Sequence, residues 1–234
     1  MQPIPVMDTT VSESRVHATF ILKVYNWMTM GLAITALVSF AIELVFPDIR
    51  TILLENPFIF WGILIFELAL VWGLSAAINK IPSVLAVLLF LFYAGLNGVT
   101  LSILFLVYQL GSIVYTFFIT AAMFGITSAF GFVTHMDLSK IGGILMMTLF
   151  GLIIASIANI FVDSTAFEWL ISYAGVIIFV GLTAYDTQKL KKMSMDIESD
   201  SEEGNKASIM GALALYLDFI NLFLFLLRIM GRRR

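Results

Sequence analysis

The chain has 234 residues, 60% of them hydrophobic and only 12% charged, and its mean hydropathy of +1.00 lies far outside the range of a soluble domain. A net charge of −3 with no basic patch outside the loops and tail argues against a nucleic-acid partner. Cysteine is absent, which excludes disulfides, thiolate metal sites and a cysteine nucleophile.

Met1 to Arg15 carries Asp8, Glu13 and two prolines ahead of any apolar run, without the basic start and short apolar core of a cleaved signal peptide. The first span is therefore expected to direct insertion. Apolar runs of about 20 residues, the length that crosses a bilayer, then recur at roughly 24–46, 57–79, 82–107, 111–133, 140–162, 167–188 and 209–229. They are too long and too evenly apolar for barrel strands, so the expected fold is an all-α integral membrane bundle forming one transmembrane domain over 1–234. The breaks at Asn79-Lys80-Ile81-Pro82 and Tyr108-Gln109-Leu110-Gly111 are short enough to force antiparallel hairpins.

Taken in chain order, the second span contains Glu67 in "LIFELALVW" and the fifth carries Gly151, Ala155 and Asn159 at intervals of four. The sixth ends on Asp186 in "GLTAYDTQKL" and the seventh has Asp218 in "LYLDFINLFLFLLR". Between the last two, the connection from Lys189 to Ser208 holds Asp196, Glu198, Asp200, Glu202 and Glu203. Its "DIESDSEEG" lacks the glycine and the twelfth-position glutamate of an EF-hand, so a polar, solvated loop is expected. Glu43, Asp163 and Glu168 fall near span ends, at the expected interface.

Arg15, Lys23, Lys80, Lys140, Lys189, Lys191, Lys192 and Lys206 share one side with the N-terminus, against Arg50 opposite. The positive-inside rule then makes the N-terminus cytoplasmic. Gly231-Arg232-Arg233-Arg234 would end outside if the seventh run crosses, and crossing is favoured over a re-entrant segment because the earlier charges already orient six spans.

A charged side chain at the bilayer centre costs about 2.5 to 3.5 kcal/mol on insertion scales, so Glu67, Asp186 and Asp218 are candidate functional residues. Helical spacing puts Gly211, Ala214, Asp218 and Asn221 on one small, polar face, for which Gly151, Ala155 and Asn159 offer a matching surface. At about 1.5 Å per residue, Asp218 lies near mid-membrane and Asp186 nearer the cytoplasm, a gap that tilt or a late start of the last helix must close.

Zinc chemistry is not expected, because His17 and His135 stand apart without H-x-x-H spacing. Serine protease chemistry is excluded, since "GLSAA" around Ser75 lacks a rhomboid-type second glycine and no later span carries a histidine. Tyr185-Asp186 resembles the Tyr-Asp of intramembrane aspartyl proteases, but Asp218 follows Leu215-Tyr216-Leu217 in place of Gly-x-Gly and no Pro-Ala-Leu follows, so half of that motif is missing and an aspartyl protease is the least favoured function. A sensor or conduit needs less. Two carboxyls in contact share a proton whose loss charges and separates the helices, and their oxygens are hard ligands suited to calcium.

On "GVIIFVGLTAYDTQKLKKM" and "IMGALALYLDFINLFLFLLRIMG", with "VYNWMTMGL" and "FGFVTHMDLSKIGGILMM", the chain resembles the Bax inhibitor family of transmembrane proteins over essentially its whole length, in the bacterial YbhL-like branch. The resemblance implies a seven-helix bundle whose last helix is central and wrapped by the other six. It also implies a pH-sensitive calcium leak of a bacterial inner membrane with no cofactor and no enzymatic activity, gated at the pair Asp186 and Asp218, which would also ligate calcium. Glu67 and Arg228 match a second-span acid and a last-helix arginine of the family; with Asn221 and Lys80 they are the expected pathway or support residues. Where some members have a latching arginine, this chain has Ala76-Ala77-Ile78-Asn79-Lys80, so a latch is weakened, absent or borne by Lys80. Expected partners are the lipid bilayer, calcium and protons. The alternative function is a non-conducting regulator that binds other membrane proteins, such as a quality-control protease.

Overall fold

Hydrocarbon offers no hydrogen-bond partner to a backbone, so long apolar runs must satisfy their peptide groups as helices. The computed structural model describes the backbone of residues 9–234 and the side chains of residues 18–234; the expectations placed on Asp8, Glu13, Arg15 and His17 lie outside those described side chains. Among the described residues the helices are α1 (Thr9–Val45), α2 (Pro47–Glu55), α3 (Pro57–Ala77), α4 (Ser83–Leu101), α5 (Leu104–Val107), α6 (Leu110–Val133), α7 (Ser139–Val162), α8 (Thr165–Met193) and α9 (Glu202–Met230). They make seven crossings, the third shared by α4 and α5. No sequence expectation covered α2, which begins on Pro47 and buries Arg50 against Glu43 of α1. Glu43 is thus ion-paired at its span end.

The interruption of the third crossing has a local cause. Ser102 Oγ donates to Val99 O at 2.6 Å and Thr100 Oγ1 to Asn97 O at 3.0 Å, and hydroxyls that compete for carbonyls one turn back tighten and bend a helix.

α9 forms the centre. Ala212, Leu215, Tyr216 and Leu222 are fully buried, and α1, α4, α6 and α8 pack around it. α3 and α7 form an outer layer, packed chiefly on α4 and α8 respectively, so the central last helix is surrounded as expected, with α1, α4, α6 and α8 making its main contacts. The expected match between α9 and the Gly151, Ala155, Asn159 surface is corrected. Gly151 faces outward, with no atom of a neighbouring element within 4 Å of the place a β-carbon would take, because α7 packs along α8 with its remaining surface left to lipid. Nor is the small face of α9 its sole packing face, since Ile220 and Phe223 on other sides are buried too.

The long polar connection expected from Lys189 to Ser208 shrinks to residues 194–201. Ser201 caps α9 by accepting from Gly204 N at 2.9 Å, and Glu202 and Glu203 sit at the positive end of the helix. The loop is pinned to α1 by Lys23, whose ammonium donates to Ser199 O at 2.8 Å, Asp200 Oδ1 at 2.7 Å and Asn205 Oδ1 at 3.2 Å. Glu202 reaches α4, accepting from Ser83 N at 2.6 Å and Ser83 Oγ at 2.7 Å. The preceding residue, Pro82, makes no side-chain cap, so Glu202 stands in as the remote cap of α4. Asp200 and Glu202 are therefore structural ties, while all five acids of the connection are exposed, as the solvated-loop reading expects. Glu202→Ala removes this cap and should speed amide exchange in the first turn of α4 before any other helix end.

The far end of the chain settles the course of the last helix. Gln109 N donates to Arg232 O and Arg234 N to Val107 O, both at 3.0 Å, and Arg233 pairs with Glu168 at 3.3 Å. Residues 107–110 and the start of α8 lie at the end of the bundle opposite the turns at 78–82, 134–138 and 194–201. A helix of 29 residues, about 43 Å long, therefore traverses the whole bundle, and the re-entrant alternative is overturned.

Candidate functional site

α8 and α9 run antiparallel in a steady register. Leu190 lies against Gly211, Phe179 stacks on Phe225 with ring centroids 5.9 Å apart, and between these points the carboxyl of Asp186 comes within hydrogen-bonding reach of that of Asp218. The depth gap expected from the sequence is closed by an early start of the last helix, at Glu202, which corrects the expected late start. Because α9 begins at Glu202 and α8 ends at Met193, roughly two turns of α9 run past the end of α8, and the acids arrive level with each other.

Asp218 is 5% exposed, and its Oδ2 has no partner outside the pair. Lys189, three residues on in α8, acts on Asp186 electrostatically. Beside Asp186, Thr187 Oγ1 and Ser128 Oγ are 3.1 Å apart, and Ser128 is bonded in turn to Tyr25 OH. This hydroxyl chain ties α1, α6 and α8 together one residue along α8 from Asp186. Further along α8, Gln188 accepts from Leu138 N at 2.9 Å and donates to Met136 O at 2.7 Å. Lys192 pairs with Asp137 at 2.9 Å. The Lys192 ammonium and the Ser139 hydroxyl hold the Asp137 carboxyl down at about 2, so this exposed tie is present at neutral pH and is lost only as pH falls through that value.

Glu67 is buried but stands apart from the pair. Its carboxylate accepts from Thr100 Oγ1 at 3.1 Å and from Asn97 Nδ2 at 3.5 Å, and the same amide donates to Tyr93 OH at 3.2 Å. Tyr93 packs edge-on against Tyr216, whose hydroxyl is 2.7 Å from Thr35 Oγ1. Tyr216 and Asp218 are neighbours on α9, yet two residues turn a helix by about 200°, so Glu67 and the aspartate pair occupy opposite sides of α9. The sequence reading did not single out Tyr93, Asn97 and Thr100; their helical spacing in "YAGLNGVT" is the signal that identifies them.

The other expected residues are dispersed. Asn221 Nδ2 bonds Leu217 O of its own helix at 2.8 Å. Arg228 is exposed at the far end of α9, its guanidinium 5.5 Å from the Phe225 ring centroid. Lys80 is exposed in the α3–α4 turn, and its ammonium makes no hydrogen bond or ion pair among the described residues. His135 lies in the α6–α7 turn. Among the described residues no group of three or more histidine, aspartate or glutamate side chains is placed to hold a metal, so a cation at the pair would have two carboxylates from protein acids.

The family model described as "Inhibitor of apoptosis-promoting Bax1" matches residues 17–234. The inner membrane protein YbhL of Escherichia coli K12 is 46% identical over 235 residues, covering 100% of both chains. An uncharacterized protein of Borreliella burgdorferi is 46% identical over 215 residues, 92% of each chain. An uncharacterized membrane protein of Streptococcus pyogenes serotype M3 is 37% identical over 215 residues, covering 91% of this chain and 92% of its own length. None of these three is named as an enzyme.

Proposed function

This chain belongs to the Bax inhibitor family of membrane proteins, and we propose that it is a proton-regulated calcium leak of a bacterial inner membrane, oriented with its N-terminus in the cytoplasm. The observation that carries this reading is the meeting of two carboxyls from adjacent helices in the membrane interior, one of them only 5% exposed. Two carboxylates in contact in a low-dielectric interior repel strongly, so the closed pair holds one shared proton. Loss of that proton on the alkaline side charges both carboxyls and drives α8 and α9 apart. The same oxygens then present hard ligands to Ca²⁺. With only two carboxylates, the site binds the ion weakly enough to release it, as conduction requires.

Calcium flux into proteoliposomes, measured from about pH 6 to about pH 8 so that a pair sharing one proton is followed through a change of charge, tests this. Wild-type flux is expected to rise severalfold with pH, and the Asp186→Asn, Asp218→Asn double variant is expected to lose that dependence. A wild-type flux no greater than that of empty liposomes would instead support the non-conducting regulator. Cleavage of a reporter substrate lost in either single variant would support the aspartyl protease.

A further inference from the structure

We propose that the cavity between the first turn of α8 and the last turn of α9 is a phosphate site, occupied by the headgroup of an anionic phospholipid from the leaflet at the C-terminal end of the bundle. The cavity has a volume of about 240 Å³ and is lined by Thr165, Glu168, Trp169, Ser172, Arg228 and Arg233, among others. Two guanidinium groups face a single carboxylate there. Arg233 pairs with Glu168 at 3.3 Å and is mostly exposed, so it is free to turn towards an incoming anion. Arg228 lies on the Phe225 ring and forms no ion pair among the described residues. One positive charge is thus left over beside hydroxyl groups, at the amino end of a 29-residue helix, where the backbone dipole also favours an anion. Guanidinium suits this role because its planar fork matches two phosphate oxygens.

The position of the cavity favours lipid over a soluble anion. Trp169 lines it and stacks on Tyr173 with centroids 5.9 Å apart, and both rings are about half exposed. Tryptophan and tyrosine settle at the level of lipid headgroups, and basic pockets between membrane helices take anionic headgroups. Leu170 beside them and Ile177 one turn below Tyr173 continue the exposed surface of α8, giving an acyl chain an apolar path down from the cavity. The site is separate from the aspartate pair, since Arg228 is ten residues along α9 from Asp218, about 15 Å.

The test uses the full-length protein in nanodiscs of phosphatidylcholine containing a minority of phosphatidylglycerol, with retained lipid counted by native mass spectrometry. Wild type should retain phosphatidylglycerol preferentially. Arg228→Gln with Arg233→Gln should lower retention about tenfold for each arginine removed, the weight of a hydrogen bond to a charged group within the cavity. Arg232→Gln with Arg234→Gln removes the same charge from residues that contribute only backbone hydrogen bonds to the tail contacts, and should leave retention unchanged. Arg228→Lys keeps the charge without the fork and should fall between, which separates headgroup loss from misfolding. Equal retention in all variants, or equal loss in both double variants, would overturn the site. Displacement of the lipid by inorganic phosphate at matching concentration would overturn the lipid assignment in favour of a free-anion site.

Discussion

Tyr216→Ala is expected to be the most damaging single truncation in the protein, at about 3 to 5 kcal/mol, the range for removing a buried large aromatic side chain. Tyr216 is wholly buried on the central helix. Its ring meets Phe90 and Tyr93 edge-on, each at a centroid separation of 5.8 Å, so the truncation removes two favourable aromatic pairs as well as leaving a cavity. Tyr216→Phe separates the hydroxyl from the ring. Thr35 Oγ1 keeps its contacts with Ala94 O at 2.8 Å and Gly31 O at 3.0 Å, so this variant should lose only about 0.6 kcal/mol, an average membrane hydrogen bond. Unfolding midpoints in detergent for the two variants check the difference. Similar losses for both would place the stabilisation in the hydroxyl and contradict the packing account.

Gly131→Ala is the second. A methyl group at this position would collide with the carbonyl oxygen of Ala184 and lie 2.9 Å from its Cα and carbonyl carbon. The obstacle is backbone, which cannot rotate aside as a side chain can, so α6 and α8 must separate. Separation would strain the Ser128–Thr187 contact and the bonds of Gln188 to the start of α7. Overpacking a well-filled interface costs about 1 to 3 kcal/mol, and an obstacle that cannot relax puts this variant at the upper end. Gly151→Ala, where nothing approaches the added carbon, should stay within about 0.5 kcal/mol of wild type, as other substitutions away from packed contacts do. A lower unfolding midpoint for the Gly151 variant than for the Gly131 variant would contradict this assignment of the close contact.

The two glycines show why local pattern reaches only part of the way. Gly151 stands in an interval of four with Ala155 and Asn159 and reads as a packing stripe, yet it faces outward. Gly131 was not singled out, although it shares the buried face of α6 with Thr116, Thr120, Thr127 and Ser128, and it is the point where two backbones touch. Small-residue spacing indicates where a helix can be approached closely; the neighbour that makes the approach is set by the arrangement of all seven crossings. The acids behave in the same way. Their cost in lipid marked Glu67, Asp186 and Asp218 as residues needing partners. Spacing left the two aspartates at different depths, and it said nothing of Asn97 and Thr100 as the partners of Glu67.

The sequence by itself determined the all-helical membrane architecture and the number of crossings, because lipid forces every long apolar run to satisfy its own backbone. It also identified the family and the acids that lipid would penalise. Only the tertiary structure decided that α1, α4, α6 and α8 make the main contacts of α9, and that its first turns overrun α8 and bring Asp186 level with Asp218. It alone showed that Lys23 and Glu202 fasten the 194–201 connection to the bundle. Helix formation in lipid is a local requirement of each segment, whereas register and neighbour choice depend on side chains meeting across segments far apart in the chain.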